Sequence, residues 1–114
     1  MTRELESKIE SYLENLCKDR GWLCQKTAAV GSSGFPDRII VTNKGQVTFC
    51  ELKRPKEKPR KLQIKMFLKP LNDHHASVVV VSNKEQADEL ISQLENEIIP
   101  RPTDEKTFYI KPIR

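Results

Sequence analysis

The run Asp37-Arg38-Ile39-Ile40-Val41-Thr42-Asn43-Lys44-Gly45-Gln46-Val47-Thr48-Phe49-Cys50-Glu51-Leu52-Lys53 decides the fold. Two β-rich segments, Asp37 to Thr42 and Gln46 to Lys53, flank the connection Asn43-Lys44-Gly45. A three-residue loop with glycine at its last position is a common hairpin closure. Thr42 then pairs with Gln46, Val41 with Val47, Ile39 with Phe49 and Asp37 with Glu51. Side chains alternate along a strand, so the odd-numbered residues share one face, apolar until its end and there carrying two acids. A one-residue slip would break both apolar pairs and send Asp37 to the opposite side from Glu51. Opposed Cβ atoms lie roughly 4.5–5.5 Å apart, which lets both carboxylates reach one ion, with Lys53 on the same side. Carboxylates that close repel each other, and an oxygen-only donor set of this size suits Mg²⁺ or Mn²⁺.

Elements of both kinds flank the hairpin. Leu5, Ile9, Leu13 and Leu16 recur at helical spacing and predict an amphipathic helix from about Arg3 to Arg20, stopped by Gly21. Trp22 to Ala29 reads as a strand, and Val30 to Gly34 as a loop. Beyond Pro55 and Pro59, the stretch from Leu62 to Leu71 predicts a second helix that Pro70 ends or distorts in its last turn. Four consecutive valines, Val78 to Val81, mark a strand buried on both faces and parallel to a neighbour. Ser82 and Glu85 form a capping box opening a helix whose inner face is Ala87, Leu90, Ile91 and Leu94. The expected order is α-β-β-β-α-β-α, a single mixed α/β domain over residues 1–100. Residues 101–114 form a tail with an edge strand expected at Thr107 to Ile110.

At 114 residues the chain suffices for one core. No apolar run approaches the roughly 18 residues of a membrane span. The opening Met-Thr-Arg-Glu-Leu-Glu has no apolar signal region, which with three unpatterned cysteines predicts a reducing, cytoplasmic setting. Cys17, Cys24 and Cys50 give neither a disulfide framework nor a zinc motif, and the adjacent His74 and His75 point apart. The net charge of +4 conceals an uneven distribution. Residues 53–69 carry Lys53, Arg54, Lys56, Lys58, Arg60, Lys61, Lys65 and Lys69 against Glu57 alone, so a polyanionic partner is expected there.

These features together resemble the PD-(D/E)xK nuclease superfamily, and within it a stand-alone VRR-NUC domain. The similarity rests on Glu6-Ser7-Lys8-Ile9, Gly34-Phe35-Pro36-Asp37, Glu51-Leu52-Lys53-Arg54-Pro55 and Gln63. Archaeal-type Holliday junction resolvases have a similar layout. The resemblance implies a restriction-endonuclease-like core with a mixed central sheet and Mg²⁺- or Mn²⁺-dependent hydrolysis of DNA phosphodiester bonds. Asp37, Glu51, the Leu52 carbonyl and Glu6 would be metal ligands, with Glu10, one turn on, as the alternative helix acid. Lys53 would orient or help deprotonate the attacking water or neutralise charge on the phosphate, and Gln63 would support the site by hydrogen bonding. Arg38, Arg54, Lys56, Lys58, Arg60, Lys61 and Lys65 are the expected DNA contacts, with Lys26 and Thr27 as weaker candidates. The expected activity is a structure-selective endonuclease, a homodimer cutting branched DNA such as Holliday junctions, with no small-molecule cofactor and no membrane partner. A less selective nuclease or nickase, and a non-catalytic DNA-binding module, are the competing readings.

Overall fold

The computed structural model describes residues 3–27 and 34–113, with side chains of the first helix from Lys8 onward. The sequence-predicted loop at 30–33, the end of the predicted first strand at Ala28 and Ala29, and the Glu6 side chain lie outside the described residues. Helix α1 (Arg3–Asp19) leads into β1 (Leu23–Lys26), followed by β2 (Arg38–Val41) and β3 (Val47–Leu52). A helix over residues 61–73, α2, crosses to β4 (Val78–Val81), and α3 (Lys84–Glu95) follows. The sheet order is β1-β2-β3-β4, with the first two pairings antiparallel and β3–β4 parallel. This is the expected mixed α/β order.

The hairpin register is the predicted one. Ile39 faces Phe49, Val41 faces Val47, and Thr42 N–H donates to the Gln46 carbonyl at 2.9 Å. Gly45 closes the loop at φ 81°, donating to the Thr42 carbonyl at 3.0 Å. The two faces of the hairpin are covered unequally. Ile40, Cys50 and Leu52 join Val79 and Val81 in the larger core, against Ile9, Leu13 and Cys17 of α1 and Ala87, Leu90, Ile91 and Leu94 of α3. The odd face, which ends in the two acids, is the less covered: Phe49 packs with Val78, Val80, Leu68 and Phe108, while Val47 stays 44% exposed. All four valines of β4 are fully buried because both faces of this strand are covered, Val79 and Val81 lying in the larger core and Val78 and Val80 under Leu68 and Phe108.

Helix ends differ in how well sequence anticipates them. Helix α1 stops where expected, with Gly21 at φ 72° and the Trp22 N–H returning to the Cys17 carbonyl at 2.9 Å. In α2 the distortion falls before Pro70. Lys61–Gln63 is α-helical, Ile64–Leu68 widens to a π turn, and Lys69–Asp73 resumes the α form. Pro70 lacks an N–H and its ring would press on the carbonyl four residues back; the wider turn absorbs the misfit and the helix continues. The cap of α3 is not Ser82 with Glu85. Asn83 accepts the Gln86 N–H at 2.8 Å, and the Gln86 amide oxygen accepts the Ser82 N–H at 2.7 Å, so the cap sits one residue later. The tail lies along the outer edge of β4, with the Val80 N–H donating to the Phe108 carbonyl at 2.6 Å and the Ile110 N–H to the Val80 carbonyl at 3.2 Å.

Candidate active site

Asp37 directly follows the buried Pro36 at the entrance to β2, and Glu51 is the fifth residue of β3. Where the ladder of β2 and β3 ends, their side chains continue it. The Glu51 carboxylate accepts the Asp37 N–H at 3.2 Å, and the Asp37 carboxylate accepts the Leu52 N–H at 3.0 Å. Lys53 Nζ lies 3.3 Å from the other Glu51 oxygen. Burial, then the negative charge of Asp37, pushes the Glu51 carboxyl up to about 7, against the opposing pull of the Gln63 amide and Lys53. Two acids and an ammonium therefore meet at one strand end, with Glu51 only 4% exposed.

Gln63 comes from the start of α2. Its side-chain N–H donates to the Gly34 carbonyl at 3.0 Å, while its amide oxygen is buried and has no hydrogen-bond partner among the described residues. Gly34 sits at φ 101°, and a Cβ there would meet the Phe67 ring at 3.3 Å. Phe35 packs edge-on against both Phe49 and Phe67, at centroid distances of 5.9 and 5.6 Å. This aromatic wedge between the hairpin and the π turn positions Pro36-Asp37. In the sequence Phe35 stands out only as part of Gly34-Phe35-Pro36-Asp37, and no local pattern pairs it with Phe67.

Other candidates go elsewhere. Arg38, an expected DNA contact, is 2% exposed, because β2 directs it under α1. Its guanidinium pairs with Glu10 at 3.2 Å and Glu14 at 2.8 Å, which leaves it no open face for a phosphate. Glu10 is thereby committed to Arg38 rather than to the acid pair, and the i,i+4 spacing of Glu10 and Glu14 was the sequence signal for a shared cation. Thr27 is buried, its hydroxyl donating to the Pro36 carbonyl, and Lys26 approaches Glu10 at 3.9 Å. Arg54 forms an ion pair with Glu57 at 2.8 Å. Lys56, Lys58, Arg60, Lys61 and Lys65 are all exposed on the segment that leaves Lys53.

Comparison with known proteins places this arrangement among nucleases. A protein named "Putative nuclease p44", from Acyrthosiphon pisum secondary endosymbiont phage 1, is 30% identical over 77 residues, covering 68% of this chain and 83% of its own length. A solved structure described as a VRR_NUC domain superposes with a TM-score of 0.69 at 28% identity, covering 76% of this chain and 94% of its own. No protein-family model matches the chain.

Proposed function

The chain belongs to the VRR-NUC family of nucleases, and from that premise we propose that it is a divalent-metal-dependent endonuclease acting on branched DNA as a homodimer. The observation that carries the reading is the meeting of Asp37, Glu51 and Lys53 at one end of the hairpin.

The residues present fit a small hard cation. Two carboxylates in contact through each other's backbone, one of them with its proton affinity raised by burial and then by the other's charge, form a site that a divalent cation relieves. The buried Gln63 amide oxygen, unpartnered among the described residues and carried by a side chain beside Glu51, is a further acceptor at this strand end. Asp37, Glu51 and the Leu52 carbonyl are the proposed ligands, joined by Glu6 of α1 because Glu10 is held by Arg38. When bound, Mg²⁺ or Mn²⁺ supplies Lewis acidity and a more acidic water.

The chain's own groups do the rest. Lys53, held at 3.3 Å by Glu51, orients a water by hydrogen bonding and offers positive charge to the phosphate as negative charge accumulates on it. Gln63 fixes that water's second hydrogen bond. The exposed lysines and arginine after Lys56 hold the DNA backbone beside the reacting phosphate without reading sequence. Two symmetric cuts in a four-way junction fit a two-fold pair of such sites.

The test is cleavage of end-labelled four-way, flapped, nicked and linear DNA in Mg²⁺, Mn²⁺ or EDTA, alongside Asp37→Ala. The reading requires metal-dependent cutting that favours the junction and vanishes in the variant. Equal activity on linear DNA removes the branched-DNA assignment, and activity in EDTA or in Asp37→Ala removes the metal site. Sedimentation of the intact protein checks the dimer, and a monomer that still resolves junctions would remove it.

A further inference from the structure

A groove apart from the acid pair lies between the basic segment and the C-terminal tail. This groove of about 450 Å³ is lined by Lys58, Pro59, Lys61, Ile64, Glu105 and Lys106. Its floor is apolar: Pro59 is buried, and Ile64 is half-buried against the cluster of Leu68, Val78, Val80 and Phe108. Its rim is cationic. The ammonium groups of Lys58, Lys61 and Lys106 have no ion-pair partner among the described residues, whereas the one acid, Glu105, already receives Lys69 at 3.4 Å and Asn72 at 3.2 Å. The net positive charge of the rim is therefore uncompensated.

The tail wall is a built structure. Asp104 Oδ1 accepts the N–H groups of Lys106 at 2.9 Å and Thr107 at 2.8 Å, closing a tight turn that presents Lys106. Phe108 anchors the turn in the core at 0% exposure, and the Tyr109 hydroxyl donates to the Glu57 carbonyl at 2.6 Å. Glu57 is in turn paired with Arg54, the residue after Lys53. The groove is thus tied through the loop of residues 54–57 to the strand end that carries the acids.

Isolated cations over an apolar floor suit a ligand with phosphates on one edge and flat apolar faces on the other. The volume falls in the range of about 300–1,000 Å³ typical of small-ligand clefts, which suits a short stretch of single strand. We propose that this groove binds an unpaired DNA strand running off the duplex beside the cleavage site, its phosphates on Lys58, Lys61 and Lys106 and its bases on Pro59 and Ile64. The proposal rests on the nuclease reading and adds the strand feature that this surface selects. No aromatic ring lines the groove, so the bases contact it by apolar packing, and the site takes any sequence.

The test is fluorescence anisotropy with the intact protein in EDTA, comparing a blunt duplex with the same duplex carrying a ten-thymidine overhang. The expected overhang-to-blunt affinity ratio is at least about ten, and the overhang steepens the log–log salt dependence by about two, as three lysine contacts to single-stranded phosphates require. Lys106→Glu brings the ratio near one, and Lys106→Arg restores it; matching circular dichroism and thermal melts establish that both variants are folded. Equal binding of the two DNAs by the unaltered protein overturns the groove proposal, as does an unchanged ratio in Lys106→Glu. If, with Mg²⁺ present, the protein cleaves neither of these DNAs nor a four-way junction, the nuclease reading falls and the groove proposal falls with it. Cleavage of the junction by a protein that binds the two DNAs without overhang preference removes the groove proposal alone.

Discussion

Asp37 and Glu51 are joined through each other's strands: the Glu51 carboxylate takes the Asp37 N–H at 3.2 Å, and the Asp37 carboxylate takes the Leu52 N–H at 3.0 Å. The same two side chains that are proposed to hold a cation therefore also finish the β2–β3 ladder. Chemistry and architecture share atoms here, and substitutions at the two positions separate them differently.

Glu51→Gln removes a charge that burial and Asp37 both oppose, while keeping an acceptor for the Asp37 N–H. The expected outcome is loss of cleavage by at least about a hundred-fold, together with a metal-free protein no less stable than the parent at pH 8. Gel-based cleavage rates and thermal melts in EDTA check the two halves.

Asp37→Ala also loses the acceptor for the Leu52 N–H, so it costs activity and roughly 1–3 kcal/mol of stability. Asp37→Asn retains an oxygen for that N–H and should recover most of the stability with none of the cleavage. Urea denaturation of the two variants separates these effects.

The metal-free protein should have a distinct pH profile. The Glu51 carboxyl titrates near 7 in the folded chain and in the ordinary carboxylate range when unfolded, so between those values the folded state binds the extra proton. Stability from this group is then greatest at low pH and falls as pH rises from the ordinary carboxylate range through 7, by about 3 kcal/mol in all, of which about 2 kcal/mol is lost between pH 5.5 and pH 8. Melts in EDTA at pH 5.5 and pH 8 should show that fall, Glu51→Gln should flatten it, and Mg²⁺ should offset it at the higher pH. A Glu51-dependent rise between those pH values would contradict the buried acid pair.

Arg38 and Lys65 should behave as opposites despite their equal charge. Arg38→Ala leaves Glu10 and Glu14 facing each other across a buried gap and is expected to cost about 2–4 kcal/mol, reduced from a fully buried pair because the two acids are partly exposed. Lys65→Ala should leave the melt unchanged, weaken DNA binding and lower the salt slope by about one.

Gly34→Ala tests the aromatic wedge. The positive φ and the 3.3 Å approach to Phe67 both resist a Cβ, for a cost of about 1–3 kcal/mol. The displaced Gly34 carbonyl also releases Gln63, so cleavage should fall more than melting alone accounts for, as single-turnover rates well below the melting temperature will measure.

Much of this site was readable because β geometry has a period of two. Once Asn43-Lys44-Gly45 is the loop, the pairing of Ile39 with Phe49 leaves Asp37 and Glu51 no choice of side, and Lys53 follows them. Four adjacent valines likewise have one economical home, a strand covered on both faces. What escaped depends on contacts distant in sequence. Arg38 looked like a DNA contact because its partners lie on α1, whose packing against the sheet no local pattern states. The π turn at Ile64–Leu68 arises where Pro70 and the Phe35–Phe67 contact must both be met. The α3 cap moved from Ser82 to Asn83 because both residues can cap and the length of β4 decided between them.

The tail has one further consequence, for solubility. By giving the Phe108 carbonyl and the Ile110 N–H to Val80, it occupies the free edge of a valine strand that would otherwise be a template for pairing with another chain. The opposite edge is β1, four residues long and ending in Lys26, a poor template of its own. Removing residues 101–114 would therefore bare that edge and favour aggregation, with the acid pair still intact in the sequence.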